Sequence, residues 1–517
     1  MSPRRDIILA KVQSYGLNGL EAYPVTIEVD VAGGLPSTTI VGLPDNAVRE
    51  SKERMRSAIK NCGFDFPSSR ITINLSPADV KKEGPSFDLA MSLGYLAATG
   101  QIDATRLSEY VFLGELSLDG SVRPVQGSLS VALAMKDKRK KGLIVPLANA
   151  AEAAIAGTAA VHPVKNLHEV VHFLSYEEPI VPFKIDVEKI FKDANLYPFD
   201  FSEVKGQAHA KRGLEIAAAG GHNCLLIGPP GSGKSMLAKR FMTILPDIEL
   251  EEALEVTQIY SATGLLRPGE SVIKARPFRC PHHTTSDVAI VGGGSNPRPG
   301  EVTLSHNGVL FLDELPEFHR NVLEALRQPL EDHCVTIARA IKSLRFPSRF
   351  ILIAAMNPCP CGWYTDPKKE CHCSSFQVQR YLSKISGPLL DRIDIHLDVP
   401  NIPSTELLKP VQAESSAAIK ERTVKARAIQ KLRFKDTSIL ANAQMNHKQI
   451  KEFCGLDDEG KKLFRQAIDE LGFSGRAYDK ILRVARTIAD LAGEENISVE
   501  HLAEAIQYRS LDRSWWG

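Results

Sequence analysis

The chain has 517 residues, too many for a single hydrophobic core, and this length predicts about three or four structural units. Its composition, 43% hydrophobic and 24% charged, is typical of a folded soluble protein. With 63 Lys and Arg against 62 Asp and Glu, the net charge is +1, which excludes a global electrostatic attraction to nucleic acid or a membrane.

No apolar run is long enough for a signal-peptide core or a membrane span. We therefore expect a cytoplasmic protein without a membrane partner. The nine cysteines are an odd number, which favours reduced thiols or a metal site over a disulfide framework.

Residues 1–175 are predicted to form an α/β domain, because short β-rich runs alternate with helical stretches. The segments 82–86 and 114–125 resemble the Lon peptidase domain, which implies a Lon-peptidase/S5-like fold with Ser86 at the nucleophile position. In that family a lysine acts as the base, but the corresponding position here is Leu129. Because a serine hydroxyl needs a base to attack a peptide bond, we expect no peptidase activity and interpret the domain as a DNA-binding or ring-organising module.

Residues 176–200 contain three prolines and little periodicity, which predicts a linker. Residues 201–400 then alternate helix and strand in the order typical of a parallel α/β sheet. A motif of the form G-x-x-x-x-G-K-[ST] follows an apolar run there and consists of Gly228, Pro229, Pro230, Gly231, Ser232, Gly233, Lys234 and Ser235. In such a loop the backbone N–H groups face phosphates, the lysine reaches the β and γ oxygens, and the hydroxyl ligates Mg²⁺.

A second apolar run, 309–312, precedes Asp313 and Glu314. Asp313 is predicted to ligate Mg²⁺, and Glu314 to orient and deprotonate the attacking water. A third strand, 350–356, ends at Asn357, whose amide would position that water, although Asn-Pro turn chemistry explains this residue equally well. ATP and Mg²⁺ are thus the expected ligands.

The segment 335–346 alternates like a β-hairpin with a basic tip. Arg339 and Lys342 would follow a phosphate backbone without reading bases, whereas a solvated basic turn is the alternative. For His282 and His283, local hydrogen bonding is favoured over a metal or DNA role.

Four cysteines follow the Asn357 strand closely: Cys359, Cys361, Cys371 and Cys373. Four thiolates suit tetrahedral Zn²⁺, which would pin a loop with little apolar content. The C-x-C spacing departs from the commoner C-x-x-C, so free thiols and a redox pair stay open, and His372 is a substitute ligand.

The order of these motifs resembles the AAA+ superfamily, and the run 386–394, which contains LLDRID, resembles its magnesium-chelatase branch. The resemblance implies that Arg392 is an arginine finger reaching the nucleotide of a neighbouring subunit; the alternative is a surface salt bridge. Residues 401–517 are predicted to form an all-helical lid domain, in which Arg476 resembles the residue that contacts the γ-phosphate in cis.

Whole stretches, including 201–223, 278–284 and 356–362, resemble the YifB/ComM family of magnesium-chelatase-like bacterial proteins. The resemblance implies a homo-oligomeric ring, a hexamer, with a DNA helicase that drives branch migration during natural transformation. Branched or single-stranded DNA is then the expected partner. A protein-remodelling or metal-insertion ATPase is the alternative, and an ATP-gated Lon-like protease is a third reading.

Overall fold

The computed structural model describes residues 9–135, 139–192, 197–267, 269–294, 297–338, 343–364, 366, 369–402, 413–437, 439–471 and 475–509. The chain divides into two compact units. The first comprises Met1–Ala194 and Leu250–Lys274, and the second comprises Asn195–Glu249 and Ala275–Gly517.

The strands are Ala10–Asn18 (β1), Glu21–Ala32 (β2), Ser37–Val41 (β3), Arg70–Ser76 (β4), Tyr110–Phe112 (β5), Glu115–Leu116 (β6), Val122–Arg123 (β7), Gly142–Pro146 (β8), Val161–Val164 (β9), Cys224–Ile227 (β10), Phe278–Arg279 (β11), Gly292–Gly293 (β12), Arg298–Pro299 (β13), Val309–Leu312 (β14), Cys334–Ala338 (β15), Ser343–Pro347 (β16), Ile351–Met356 (β17) and Ile395–Asp398 (β18).

The α-helices are Asn46–Asn61 (α1), Asp88–Ala98 (α2), Ser128–Ala134 (α3), Ala150–Ala154 (α4), Leu167–Leu174 (α5), Val187–Lys192 (α6), Ala208–Gly220 (α7), Lys234–Phe241 (α8), Leu250–Ala262 (α9), Asp287–Val291 (α10), Glu301–Leu304 (α11), Arg320–Ala325 (α12), Arg327–Asp332 (α13), Ser375–Leu382 (α14), Gly387–Leu390 (α15), Ser416–Arg433 (α16), His447–Phe453 (α17), Asp458–Leu471 (α18), Gly475–Ala492 (α19) and Val499–Gln507 (α20).

The first unit is built on a mixed sheet in the order β3-β4-β2-β1-β5-β8-β9. Buried and partly exposed residues alternate along β1, β2 and β4, as expected for strands with one face on a core. Nearly all of α2 is buried against this sheet. The predicted N-terminal α/β domain is confirmed.

The second unit contains a sheet in the order β11-β14-β17-β10-β18, in which all four pairs of neighbouring strands are parallel. The strands β10, β14 and β17 are continuous apolar runs, as in parallel sheets covered on both faces. Helices α16 to α20 follow the sheet and bury an apolar stripe that includes Ile481, Ile488 and Leu502 in the same core as Leu226. The predicted parallel-sheet domain and helical lid are confirmed.

The segment Leu250–Lys274 lies in the first unit, whereas the sequence analysis placed these residues inside the 201–400 domain. Its helix α9 buries Val256 and Ile259, and the Ser261 hydroxyl accepts a hydrogen bond from the Gly127 N–H (3.0 Å). Apolar spacing reveals an amphipathic helix but not the surface on which it packs, so sequence alone could not place this segment.

Among the helices of the described residues, none combines the length and the apolar character that crossing a membrane requires.

Candidate nucleotide-binding site

The phosphate motif forms a tight loop between β10 and α8. Gly231 and Gly233 adopt φ values of +79° and +96°, which favour glycine. A Cβ on Gly228 would lie 2.1 Å from the Val399 carbonyl oxygen, so a side chain is excluded there. This loop therefore has the backbone form that a phosphate cradle needs.

The Lys234 ammonium lies inside the loop and is mostly buried. It donates to the carbonyl oxygens of Gly228 (2.7 Å) and Pro229 (2.8 Å) and to Asn357 Oδ1 (3.2 Å). Burial lowers the pKa of Lys234 to about 8, while the nearby carboxylates of Asp313 and Glu314 act in the opposite direction. An anionic phosphate placed there would favour the charged ammonium.

Ser235 and Asp313, the two expected Mg²⁺ ligands, are in direct contact. The Ser235 hydroxyl donates to Asp313 Oδ2 at 2.5 Å. Because β14 and β10 are parallel, with β17 between them, their carboxyl ends lie at one edge of the sheet, and the residues that follow them converge there. A hydroxyl beside a carboxylate is the oxygen donor set that Mg²⁺ prefers.

Glu314 begins the turn after β14 in a left-handed conformation (φ 53°), and its carboxylate is half exposed. Its Oε2 lies 3.3 Å from His283 Nδ1, on the segment that follows β11. His282 instead contacts Thr284 Oγ1 at 3.0 Å. The predicted local hydrogen bonding is therefore found for His282. The contact of His283 with Glu314 was not predicted, because only the pairing of β11 with β14 brings these two residues together.

Arg392 lies just before β18, and its side chain is 14% exposed. It donates to the carbonyl oxygens of Arg327 (3.1 Å) and Pro388 (2.6 Å) and pairs with Glu331. Asn223, at the start of β10, holds the Arg392 carbonyl at 3.0 Å. The structure thus contains the salt bridge that was the alternative reading, and the arginine-finger role stays a prediction.

Arg476, near the start of α19, is largely exposed, and its Nη1 lies 3.7 Å from Asp391 Oδ2. A γ-phosphate contact by Arg476 stays a prediction. The hairpin β15–β16 forms in the register that places Ala338 opposite Ser343. Its predicted DNA-contacting residues, Arg339 and Lys342, lie outside the described residues.

The four cysteines converge to a cluster in which the sulfur atoms lie within 4.8 Å of one another. The Sγ of Cys359 lies 3.3 Å from that of Cys361 and 3.7 Å from that of Cys371. Four sulfurs around a tetrahedral Zn²⁺ would lie about 3.8 Å apart, whereas a disulfide requires about 2.0 Å. The cluster therefore fits a metal ion better than a redox pair.

In the first unit, Leu129 lies in α3 and is fully buried, and Ser86 precedes α2, where its carbonyl accepts from the Gly114 N–H at 3.0 Å. The nearby Lys82 donates its ammonium to the Val80 carbonyl at 2.7 Å. The residue expected at the base position is thus apolar, and the absence of peptidase activity stays a prediction.

Three family models match the chain. The description "Magnesium chelatase, subunit ChlI" covers residues 200–407, "Subunit ChlI of Mg-chelatase" covers 27–149, and "Magnesium chelatase, subunit ChlI C-terminal" covers 413–509. Competence protein ComM of Haemophilus influenzae is 45% identical over 509 residues, and YifB of Escherichia coli is 44% identical over 511; each alignment covers 98% of both chains.

The chain belongs to the ComM/YifB family of magnesium-chelatase-like AAA+ ATPases. The family predicted from the motifs is thereby confirmed. The magnesium-chelatase 38 kDa subunit of Cereibacter sphaeroides is a more distant relative, 25% identical over 177 residues, which cover 31% of this chain and 53% of that subunit.

AAA+ ATPases use ATP and Mg²⁺, and the residues of this site fit both ligands. The glycine backbone and Lys234 offer the phosphate cradle, and Ser235 with Asp313 offers the metal ligands. Family membership thus agrees with the geometry of the loop.

Proposed function

We propose that this chain hydrolyses ATP in a homo-oligomeric ring, a hexamer, and acts on DNA as a branch-migration helicase in the recombination of natural transformation. The observation that carries the ATPase part is the convergence of Lys234, Ser235 and Asp313 at one sheet edge, with Glu314 beside them. When bound, Mg-ATP supplies the phosphoryl group and the metal that neutralises its charge.

In this proposal each residue has one task. Lys234 turns from the Gly228 and Pro229 carbonyls toward phosphate oxygens, and Ser235 and Asp313 hold the metal. Glu314 accepts the proton of the attacking water at a carboxylate oxygen, and His283 orients that carboxylate. The amide of Asn357, already in contact with Lys234, orients the same water.

The ring assembly rests on Arg392. The described partners of its guanidinium are Glu331 and two carbonyl oxygens, and none of them belongs to the phosphate loop of its own chain. An arginine held near the surface by an exposed carboxylate can exchange that partner for a neighbour's phosphate. Arg476 would then contact the γ-phosphate in cis.

The DNA part of the proposal is supported by two features. A relative that is 45% identical over nearly its whole length is named competence protein ComM. In the sequence, Arg339 and Lys342 fall between the two strands of the β15–β16 hairpin, and cations suit the phosphate backbone of DNA. The branch-migration role itself comes from the family resemblance.

The test is the ATPase rate of the full chain with and without forked DNA. We expect DNA to raise the rate, and the stimulation to disappear in Arg339→Ala/Lys342→Ala while the basal rate is kept. Lys461→Ala/Lys462→Ala, which removes two cations of the exposed face of α18, is the matched control and should respond as the wild type does. A wild-type rate that is indifferent to every DNA structure would refute the helicase proposal.

A metal-insertion or protein-remodelling ATPase is the second candidate, favoured by the similarity to the 38 kDa magnesium-chelatase subunit. It predicts nucleotide turnover that ignores DNA. The same assay therefore separates the two candidates.

We also propose that the cysteine cluster binds a structural Zn²⁺ through Cys359, Cys361, Cys371 and Cys373. The proposal is supported by sulfur separations between 3.3 and 3.7 Å among Cys359, Cys361 and Cys371. Zinc content of the purified full chain measures it, with one equivalent per chain as the expected result.

A further inference from the structure

The cysteine cluster lies directly behind the phosphate loop. Cys359 follows Asn357 by two residues, is fully buried, and belongs to the same apolar cluster as Leu225 and Ile227 of β10. The strand β10 leads into the phosphate loop. The cluster therefore shares its packing with the strand that positions the phosphate site.

Gly362 provides a direct contact between the two loops. Its φ is +84°, and a Cβ there would lie 2.5 Å from Cδ and 2.7 Å from Cγ of Pro230. The Gly362 N–H also donates to the Cys359 carbonyl at 3.0 Å, which fixes the turn between the first two cysteines. The backbone of the cysteine loop is thus seated against the proline ring of the phosphate loop.

A second contact runs through the strand end. The Asn357 amide oxygen accepts from Lys234 at 3.2 Å, so the residue before the cysteine loop touches the phosphate-binding lysine. Both ends of the segment 357–362 therefore contact the phosphate motif.

The described part of the cysteine loop between residues 358 and 374 contains no helix or strand. Its other contacts include the hydrogen bond from Asn401 to Asp366 (2.9 Å) and the Lys369 ammonium over the Trp363 ring. A metal bound by Cys359 and Cys361 at one end of this loop and by Cys371 and Cys373 at the other would hold the two ends together. No helix or strand in the described part of the loop does so.

We propose that the metal held by the four cysteines acts as a control site for the nucleotide site: it fixes the cysteine loop, which in turn holds the phosphate loop at Pro230 and the Asn357 amide at Lys234. Nucleotide affinity and turnover then depend on metal occupancy. This inference rests on the proposed zinc site and on nucleotide binding, and it is independent of the DNA proposal.

The first experiment uses the full chain and measures zinc content together with the affinity for a fluorescent ADP analogue. In Cys371→Ser/Cys373→Ser we expect loss of zinc and at least a roughly tenfold weaker ADP affinity. Cys62→Ser, which changes a half-buried thiol of the first unit, is the control and should keep both. A wild-type chain without zinc, or a zinc-free variant with wild-type affinity, would overturn the proposal.

The second experiment tests the contact between Gly362 and Pro230 without substituting a metal ligand. It tests the coupling between the loops even if the cysteine variant does not fold. Gly362→Ala should keep one zinc but bind ADP about tenfold more weakly, because its methyl group displaces Pro230. Adding Pro230→Ala removes the ring and should restore most of the affinity. Gly493→Ala introduces the same positive-φ strain (+75°) where the Cβ meets open space, and it should bind as the wild type does.

Unchanged affinity in Gly362→Ala would contradict the coupling between the loops. Because ADP affinity is read separately from turnover, a chain that binds ADP but hydrolyses no ATP would refute the proposed function while leaving the metal coupling supported.

Discussion

At the scale of single residues, Glu314 is the residue that we propose distinguishes hydrolysis of ATP from binding alone. It follows a buried strand, is half exposed, and contacts His283 rather than a cation of its own loop. A carboxylate that is accessible and oriented by a neighbour suits proton abstraction from water.

Replacing Glu314 by Gln should leave ATP binding intact and lower the turnover number by about two to three orders of magnitude, because the amide cannot accept the proton. Equilibrium binding and single-turnover hydrolysis measure the two properties separately. Normal turnover in this variant would refute the general-base role.

Removing the imidazole in His283→Ala should lower turnover by about fivefold to tenfold with little change in ATP affinity, because the Glu314 carboxylate loses its orienting partner. His283→Gln, whose amide N–H can donate, should recover part of the rate. His282→Ala removes only a local contact with Thr284 and serves as the control. Equal effects of the His282 and His283 variants would show that the contact at 3.3 Å has no role in orienting Glu314.

The residues of the phosphate motif, Asp313 and the cysteines could be found from sequence because their spacing along the chain is itself the signal. His283 could not, since its partner is 31 positions away (314 − 283) and is reached only through the pairing of β11 with β14. Arg392 was found by resemblance, but its pairing with Glu331 depends on how α13 packs and has no sequence signature.

At the scale of secondary-structure elements, a buried polar cluster joins the sheet to the lid. Asp394, which precedes β18, pairs with Lys480 of α19 at 2.7 Å and with His222 at 3.3 Å. Burial lowers the pKa of Lys480 to about 8, and the Lys480 ammonium together with the hydrogen bond from His222 holds the pKa of Asp394 well below its usual range despite its burial. Because Asp394 lies two residues from Arg392, the cluster fixes the segment that carries the proposed finger.

Lys480→Met should lower the free energy of unfolding of the full chain by about 3–5 kcal/mol, because it leaves the Asp394 carboxylate buried without its main partner. Asp394→Asn added to it should recover part of the loss. The exposed ion pair of Lys461 with Asp458 provides the control, and Lys461→Met should not change stability measurably. Denaturant unfolding followed by circular dichroism measures all three, and a Lys480→Met chain as stable as the wild type would contradict the account.

The same cluster predicts a dependence of stability on pH. Burial lowers the pKa of His222, so between pH 6.5 and the lower folded-state pKa the unfolded chain binds a proton that the folded chain does not. Stability should therefore fall as the pH drops below about 6.5, by up to about 1.4 kcal/mol per pH unit from this group. The slope should be smaller in His222→Gln and unchanged in His447→Gln, an exposed control. Equal slopes in wild type and His222→Gln would disprove the assignment.

The bounds of β14 followed from sequence, because its apolar run, 309–312, is uninterrupted. Within the predicted helical domain 401–517, α17 and α18 are separate helices, because the segment 454–457 between them does not continue the helix. The packing of helix α9 could not be predicted from sequence, since the surface that it covers comes from residues more than a hundred positions earlier in the chain.

At the scale of the whole molecule, the central claim is that two copies share each nucleotide site. In this proposal, one copy would provide Lys234 and Glu314, and its neighbour would provide Arg392. The claim explains why a chain with a complete phosphate loop also carries a guanidinium whose described partners lie outside that loop.

The most direct test mixes two inactive chains. Lys234→Ala removes phosphate binding and Arg392→Ala removes the finger, so each variant alone should hydrolyse ATP at least about a hundredfold more slowly than the wild type. In a mixed ring, some sites combine the intact Lys234 of one chain with the intact Arg392 of the other. We predict that mixing restores ATP hydrolysis well above the sum of the two variants; a mixture no faster than that sum, or an Arg392→Ala chain with the wild-type rate, would contradict the shared site.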